Sequence, residues 1–190
     1  MRREICICAE IDACRRSITS RTRVVILMHQ RERCRTTNTA RLAQQVLAHC
    51  EIRVRGLRDA PLVTDGIVDP IRHTFFFYPS SQATELTPEF VAGLDKPVTL
   101  VVPDGTWGQA AKVAKRETSL HGLRHVKLAA VGSSQYELRR GSKENGLATF
   151  EAIARALGVL ESTNIQSHME ALFQVMVHRT LRSRGLQPQG

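Results

Sequence analysis

The stretch Val101-Val102-Pro103-Asp104-Gly105-Thr106-Trp107-Gly108-Gln109-Ala110-Ala111 decides how this chain folds. It continues an apolar, β-branched run, Pro97-Val98-Thr99-Leu100-Val101-Val102, of the kind that fills a strand buried on both faces. An acid, a glycine and a threonine then precede a helical pattern that runs on through Lys112-Val113-Ala114-Lys115-Arg116. Thr106 reads as the N-cap, its hydroxyl able to accept from the free amides of the first turn. Asp104 therefore falls at the carboxyl end of a core strand, where open α/β sheets keep their ligand crevices. Trp107, the only tryptophan of the chain, lies in the first helical turn, either as core filler or as a pocket wall.

Working outward, Val24-Val25-Ile26-Leu27-Met28 is a second buried strand ending at His29. Thr37-Asn38-Thr39 offers N-caps for a helix over Ala40–Ala48, and Glu51–Arg55 alternates like a short edge strand. Residues 56–71, with Gly56, Pro61, Gly66 and Pro70, read as a loop. His73–Tyr78 is strongly strand-like and is cut off by Pro79-Ser80-Ser81. Thr87-Pro88-Glu89 opens a short helix toward Leu94, and His125–Val131 is a further parallel strand. A polar loop over 132–146 precedes amphipathic helices at Leu147–Leu157 and Ser167–Arg184. Strands alternating with helices predict an α/β fold, a mostly parallel sheet covered by helices on both faces. No repeat or linker divides residues 1–190, so a single domain is expected, with residues 1–23 as a loosely held basic opening segment carrying Cys6-Ile7-Cys8.

Composition narrows the partners. With 42% hydrophobic residues the 190-residue chain can bury one core, and no run approaches the roughly 20 apolar residues that span a bilayer. The N-terminus lacks an apolar signal region, and a cytoplasmic location without membrane association is expected. The formal net charge is +9, with 27 Lys and Arg against 18 Asp and Glu, which suits a polyanionic partner. Arginines cluster at 15–16, 21–23, 31–35, 53–58 and 139–140, and their planar forks suit phosphate. A merely soluble basic protein, or a non-catalytic RNA-binding module, would carry the same charge. Five cysteines (Cys6, Cys8, Cys14, Cys34 and Cys50) are an odd set that argues against a disulfide framework.

Five ordered segments carry a resemblance. They are His29-Gln30-Arg31-Glu32 with Thr37-Asn38-Thr39-Ala40, Tyr78-Pro79-Ser80-Ser81-Gln82-Ala83, Asp104-Gly105-Thr106-Trp107, Ser134-Gln135-Tyr136-Glu137-Leu138-Arg139, and Leu147-Ala148-Thr149-Phe150-Glu151-Ala152. Together they resemble the DTW-domain proteins, aminocarboxypropyltransferases that act on uridine in tRNA, over roughly Cys6 to Arg182. Three details depart from the family pattern: Gln30 replaces a usual proline, Thr36 is an extra threonine after Arg35, and Phe150 stands at a leucine position. The resemblance implies transfer of the 3-amino-3-carboxypropyl group of S-adenosylmethionine to N3 of uridine, and a knotted SPOUT-like fold. It also raises zinc, because bacterial members often carry a CxxC pair upstream of such a CxC. This sequence begins after the place for that pair, so zinc stays open, with Cys6 and Cys8 as the only motif ligands.

The roles assign themselves from that chemistry and that resemblance. The N3 proton of uridine must leave, and Asp104 is placed as the base or orienting acceptor, with Trp107 beside it as catalytic pocket wall. Pro79, Ser80, Ser81, Thr106, Leu147, Thr149 and Glu151 are expected around S-adenosylmethionine. Arg35, Asn38, Tyr136 and Arg139 are expected on the RNA, Arg139 also suiting a carboxylate. Thr149 as an N-cap, Glu151 as a first-turn acid and an exposed Arg139 are ordinary readings of the same residues. A SPOUT-type RNA methyltransferase is the alternative enzyme, since the same cofactor then offers its methyl carbon. The sequence leaves the target tRNA and uridine open, and the oligomeric state too, with a monomer slightly favoured.

Overall fold

Alternation along the apolar runs divides each central strand between two cores. Val24, Ile26, Met28, Leu100, Val102, Phe75 and Phe77 join one cluster, and Val25, Leu27, Val101 and Phe76 join the other. The computed structural model describes residues 5–129, 132, 134–136 and 146–186. Its strands are β1 (Arg23–His29), β2 (Cys50–Arg55), β3 (His73–Phe77), β4 (Thr84–Leu86), β5 (Val98–Asp104) and β6 (Arg124–Leu128). They form a six-stranded sheet in the order β2-β1-β5-β3-β6-β4, with every neighbouring pair parallel. The mostly parallel sheet expected from the sequence is thus wholly parallel among the described residues.

The larger core lies under α1 (Cys8–Ser17), α2 (Ala40–Val46), α5 (Thr149–Leu160) and α6 (Thr163–Ser183), with α3 (Pro88–Ala92) at its margin. Its centre is aromatic: Phe150 stacks on Phe173 at 5.6 Å, and Tyr136 meets the same ring at 5.6 Å. The opposite face carries α4 (Trp107–Arg116), whose Val113 packs with Leu120 and with Ile67 of the long loop. Helices therefore cover both faces, as a parallel sheet buried on both sides requires.

Three elements differ from the sequence expectation. The basic opening segment is not loose, because Cys8–Ser17 is a helix packed on α6. Ile7, Ile11, Cys14 and Ile18 recur at helical spacing and face the core, a stripe that the surrounding arginines conceal. Strand β4 is three residues long at the sheet edge, too short to show a period. The strand expected over His125–Val131 is seen only as Arg124–Leu128, and Ala130 and Val131 lie outside the described residues. No described helix is long and apolar enough to cross a membrane.

The approach to β1 is tied to the end of α5 by Glu161, which accepts from Ser20 Oγ at 2.6 Å, Thr22 N at 2.6 Å and Arg21 N at 3.0 Å. Burial acts to raise its pKa, but the hydrogen bonds from Ser20, Thr22 and Arg21 outweigh burial and hold the carboxyl below its ordinary value. A depressed folded pKa stabilises the fold above the unfolded value, and that contribution is lost as pH falls through the folded one. Glu161→Gln is expected to cost about 1 kcal/mol at neutral pH. Urea titrations from about pH 5 to pH 3 should show the gap to the parent protein closing; a gap constant across that window would remove the carboxylate from this role.

Candidate active site

The chain leaves the carboxyl end of β1 for β2 on one side, while β5 connects to β6 on the other. Between β1 and β5 the connections diverge, and a crevice opens at the carboxyl edge of the sheet. Asp104 ends β5 at that point, paired in register with Met28 of β1. It continues the row Leu100–Val102, so its side chain points to the face that carries α2 and α5.

The Asp104 carboxylate is only 6% exposed and is held on both oxygens. Asn38 Nδ2 donates to Oδ2 at 2.6 Å and Thr149 Oγ1 to Oδ1 at 2.5 Å. Asn38 is fixed in turn because its Oδ1 accepts from Ala40 N, at the start of α2, at 3.1 Å. Each carboxylate oxygen has a further acceptor position, so the pair of donors orients Asp104 without exhausting it. Thr39 Oγ1 accepts from Phe150 N at 3.2 Å and caps α5 from a distance, since Ala148 at the N-cap position has no side-chain acceptor.

Glu151, 1% exposed, gathers the next segment. It accepts from Ser134 Oγ at 2.7 Å, Gln135 N at 2.7 Å and Ala148 N at 2.8 Å. Tyr136 is buried and donates its hydroxyl to Thr37 O. Four of the five sequence segments therefore meet in one hydrogen-bond network around Asp104.

Beside it lies a cavity of about 380 Å³ at the carboxyl ends of β3, β5 and β6. Pro79, Thr106, Trp107, Leu147 and Thr149, all expected around the cofactor or the reacting base, line it. Trp107 is 43% exposed and tilts against Tyr78 with ring centroids 6.1 Å apart, leaving indole surface on the cavity lip. Thr106 Oγ1 accepts from Gln109 N at 3.3 Å and its own amide donates to Gln109 Oε1 at 2.8 Å, a reciprocal cap that fixes the start of α4. Gly105, at φ +156°, approaches so closely that an added Cβ would lie 2.7 Å from Gln109 Oε1.

Other expected residues stand elsewhere. Ser80 Oγ lies 3.0 Å from His125 Nδ1, Ser81 is exposed, and neither lines the cavity. Glu151 is likewise set back from it, in the network just described. Arg35 is half exposed and pairs with Glu32 at 3.4 Å. Arg139 lies outside the described residues. Cys6 and Cys8 sulfurs are 3.2 Å apart, two of the four thiolates that a structural zinc site uses. Among the described residues no group of three or more His, Cys, Asp or Glu could hold a metal.

Four further residues at or beside the site have no role legible in the sequence. His29, closing β1, accepts at Nδ1 from Arg31 N at 3.2 Å, so a neutral ring carries its proton on Nε2. Burial, then the nearby Arg55 and Arg31 charges, lower its pKa and favour that neutral form. Tyr78 was legible as the end of a strand but not as Trp107's neighbour. Glu85 and Lys127, 3.5 Å apart on β4 and β6, line the far end of the cavity, and no local pattern announces them.

The DTW domain family model matches residues 1–181. A tRNA-uridine aminocarboxypropyltransferase 2 of Drosophila melanogaster is 36% identical over 150 residues, covering 74% of this chain and 57% of that protein. The Mus musculus protein of the same name is 30% identical over 170 residues, covering 85% of this chain and 54% of its own length. The chain thus spans little more than half the length of these relatives. Among solved structures, the SAM-dependent rRNA:acp-transferase Tsr3 from Vulcanisaeta distributa aligns with a TM-score of 0.52 at 16% identity, over 86% of this chain and 79% of that one. The fold shared with that structure is the parallel α/β sheet covered by helices that the sequence predicts. Residues 137–145, between β6 and α5, lie outside the described residues.

Thr149→Val keeps the shape of the side chain and removes its donor to Asp104. The loss of a hydrogen bond to a buried charge is expected to cost about 1.5–3 kcal/mol in chemical denaturation. A cost below about 0.5 kcal/mol would mean that the carboxylate does not depend on this hydroxyl.

Proposed function

The chain belongs to the DTW domain family, and from that premise we propose that it transfers the 3-amino-3-carboxypropyl group of S-adenosylmethionine to N3 of a uridine in tRNA. The observation that carries this reading is the oriented, buried carboxylate of Asp104, which does not itself line the cavity but is hydrogen-bonded to Thr149, which does. The names borne by the relatives support the same reading. A cavity of about 380 Å³ falls within the range of roughly 300–1,000 Å³ typical of small-ligand sites. Its walls suit an adenosine-bearing ligand: apolar faces from Val102, Leu128, Ala129, Leu147 and Ala152, aromatic edges from Tyr78 and Trp107, and polar groups from Thr106, Thr149 and the Glu85–Lys127 pair.

Bound S-adenosylmethionine supplies an electrophilic Cγ beside its sulfonium and leaves as methylthioadenosine. Asp104 accepts the N3 proton of uracil, or holds the imide by a hydrogen bond while that proton passes to solvent, as the N3–Cγ bond forms and the Cγ–sulfur bond breaks. Asn38 and Thr149 keep the carboxylate from rotating, so that the nucleophile meets a fixed acceptor. Trp107 offers its exposed indole face to a base turned out of its stack. Because the methyl carbon sits on the same sulfur, the cavity's grip on the ligand decides which carbon faces Asp104.

The product distinguishes the reactions. Incubation with S-adenosylmethionine and unmodified tRNA should yield methylthioadenosine by mass spectrometry, and only when RNA is present. S-adenosylhomocysteine instead would make the protein a methyltransferase. Asp104→Asn should lower the rate about 100-fold or more while S-adenosylmethionine affinity changes less than about threefold. A fully active variant would take Asp104 out of the chemistry.

A further inference from the structure

We infer that the groove between α2 and the edge strand β2 holds the phosphodiester backbone of the RNA beside its target nucleotide, with Arg33 and Arg41 as the phosphate ligands. This rests on the RNA-modification reading above. The groove has a volume of about 300 Å³; Arg33, Arg41 and Gln44 form its rim, and Ile52 and Val54 its floor. No carboxylate among the described residues lines it.

Its place relative to the site is specific. The cavity occupies the β3, β6 and β4 side of Asp104, whereas the groove opens on the β1 and β2 side, against Met28, the residue paired with Asp104. Parallel strands lie about 4.8 Å apart, so the groove is one to two strands from the carboxylate. That is the reach of one nucleotide. A backbone lying in the groove can present its base to Asp104 and to the Trp107 lip.

The charges are free for this use. Arg53 and Arg55, on β2 itself, are spent on Glu51 and Glu117. Arg33 and Arg41 are exposed, and among the described residues neither has an acidic partner. Guanidinium forks match phosphate oxygens, and a glutamine amide can donate to the same backbone. An apolar floor suits the face of a ribose.

The Arg41 side chain and the Arg33 backbone are also positioned before any ligand arrives. Arg41 Nη2 donates to Arg33 O at 2.6 Å. Successive turns, Arg33 N to Gln30 O, Arg35 N to Glu32 O and Asn38 N to Arg35 O, stiffen the segment between them. That segment ends in Asn38, which holds Asp104. The arm that carries the phosphate ligands is the arm that orients the carboxylate, so binding needs little further ordering.

The test compares tRNA binding by fluorescence anisotropy across a salt series, with S-adenosylmethionine affinity read separately. Arg33→Gln/Arg41→Gln is expected to weaken tRNA binding at least about tenfold and to reduce the salt slope by about two. S-adenosylmethionine affinity should stay unchanged. Arg15→Gln/Arg16→Gln removes the same charge from the last turn of α1 and should change tRNA affinity less than about twofold. Gln44→Glu, which leaves both arginines and the Arg41 hydrogen bond intact, should also weaken binding. Equal losses in the two arginine pairs, or no loss in the groove variants, would overturn this surface while tRNA binding by the parent protein left the RNA reading standing. A parent protein that binds no tRNA would overturn both.

Discussion

A carboxylate taken out of water must be hydrogen-bonded, and Asp104 meets that demand with donors 66 residues upstream and 45 residues downstream. Asn38 and Thr149 stand at the starts of α2 and α5, so satisfying one buried charge brings two helix beginnings to the end of β5. The parity of the strand sets the direction. Leu100 and Val102 lie in the larger core, and Asp104, next in their row, turns toward the same helices. Had the acid stood one residue earlier, it would have faced α4.

The same logic extends through Glu151, whose three donors draw residues 134–136 and Ala148 onto the first turn of α5. Tyr136 then reaches back to Thr37, closing a ring of contacts that begins and ends beside Asn38. Residues that resemble a cofactor site in sequence thus divide into two groups in space. Pro79, Thr106, Trp107, Leu147 and Thr149 border the cavity, while Glu151 and Ser80 hold the segments that shape it. Both kinds matter to the site, because a misplaced wall is as damaging as a missing one.

Electrostatics divide the carboxyl edge of the sheet. On the β3 and β6 side the surface is apolar and aromatic, with the Glu85–Lys127 pair at its far end. On the β1 and β2 side it is cationic, through arginines that no acid neutralises among the described residues. The basic residues behind the net charge of +9 are therefore not used alike: some arginines are paired within the fold with Glu51, Glu117 and Glu10, and others face outward beside the crevice.

By itself the sequence determined what local rules reach. The apolar runs that became β1, β3 and β5, the Thr106 N-cap, and the position of Asp104 at a strand end all follow from alternation and helix-terminus chemistry within a few residues. The ordered segments added the family. Tertiary structure alone decided the order β2-β1-β5-β3-β6-β4, which sets β5 beside β1 and opens the crevice at Asp104. It alone gave Asn38 and Thr149 to the same carboxylate, hid the apolar stripe of α1 against α6, and placed Tyr78 against Trp107. The reason is physical. Propensity and periodicity act over a turn of helix or a pair of strand residues, whereas the partner of a buried polar group is fixed only when distant segments compete to exclude water from the same place.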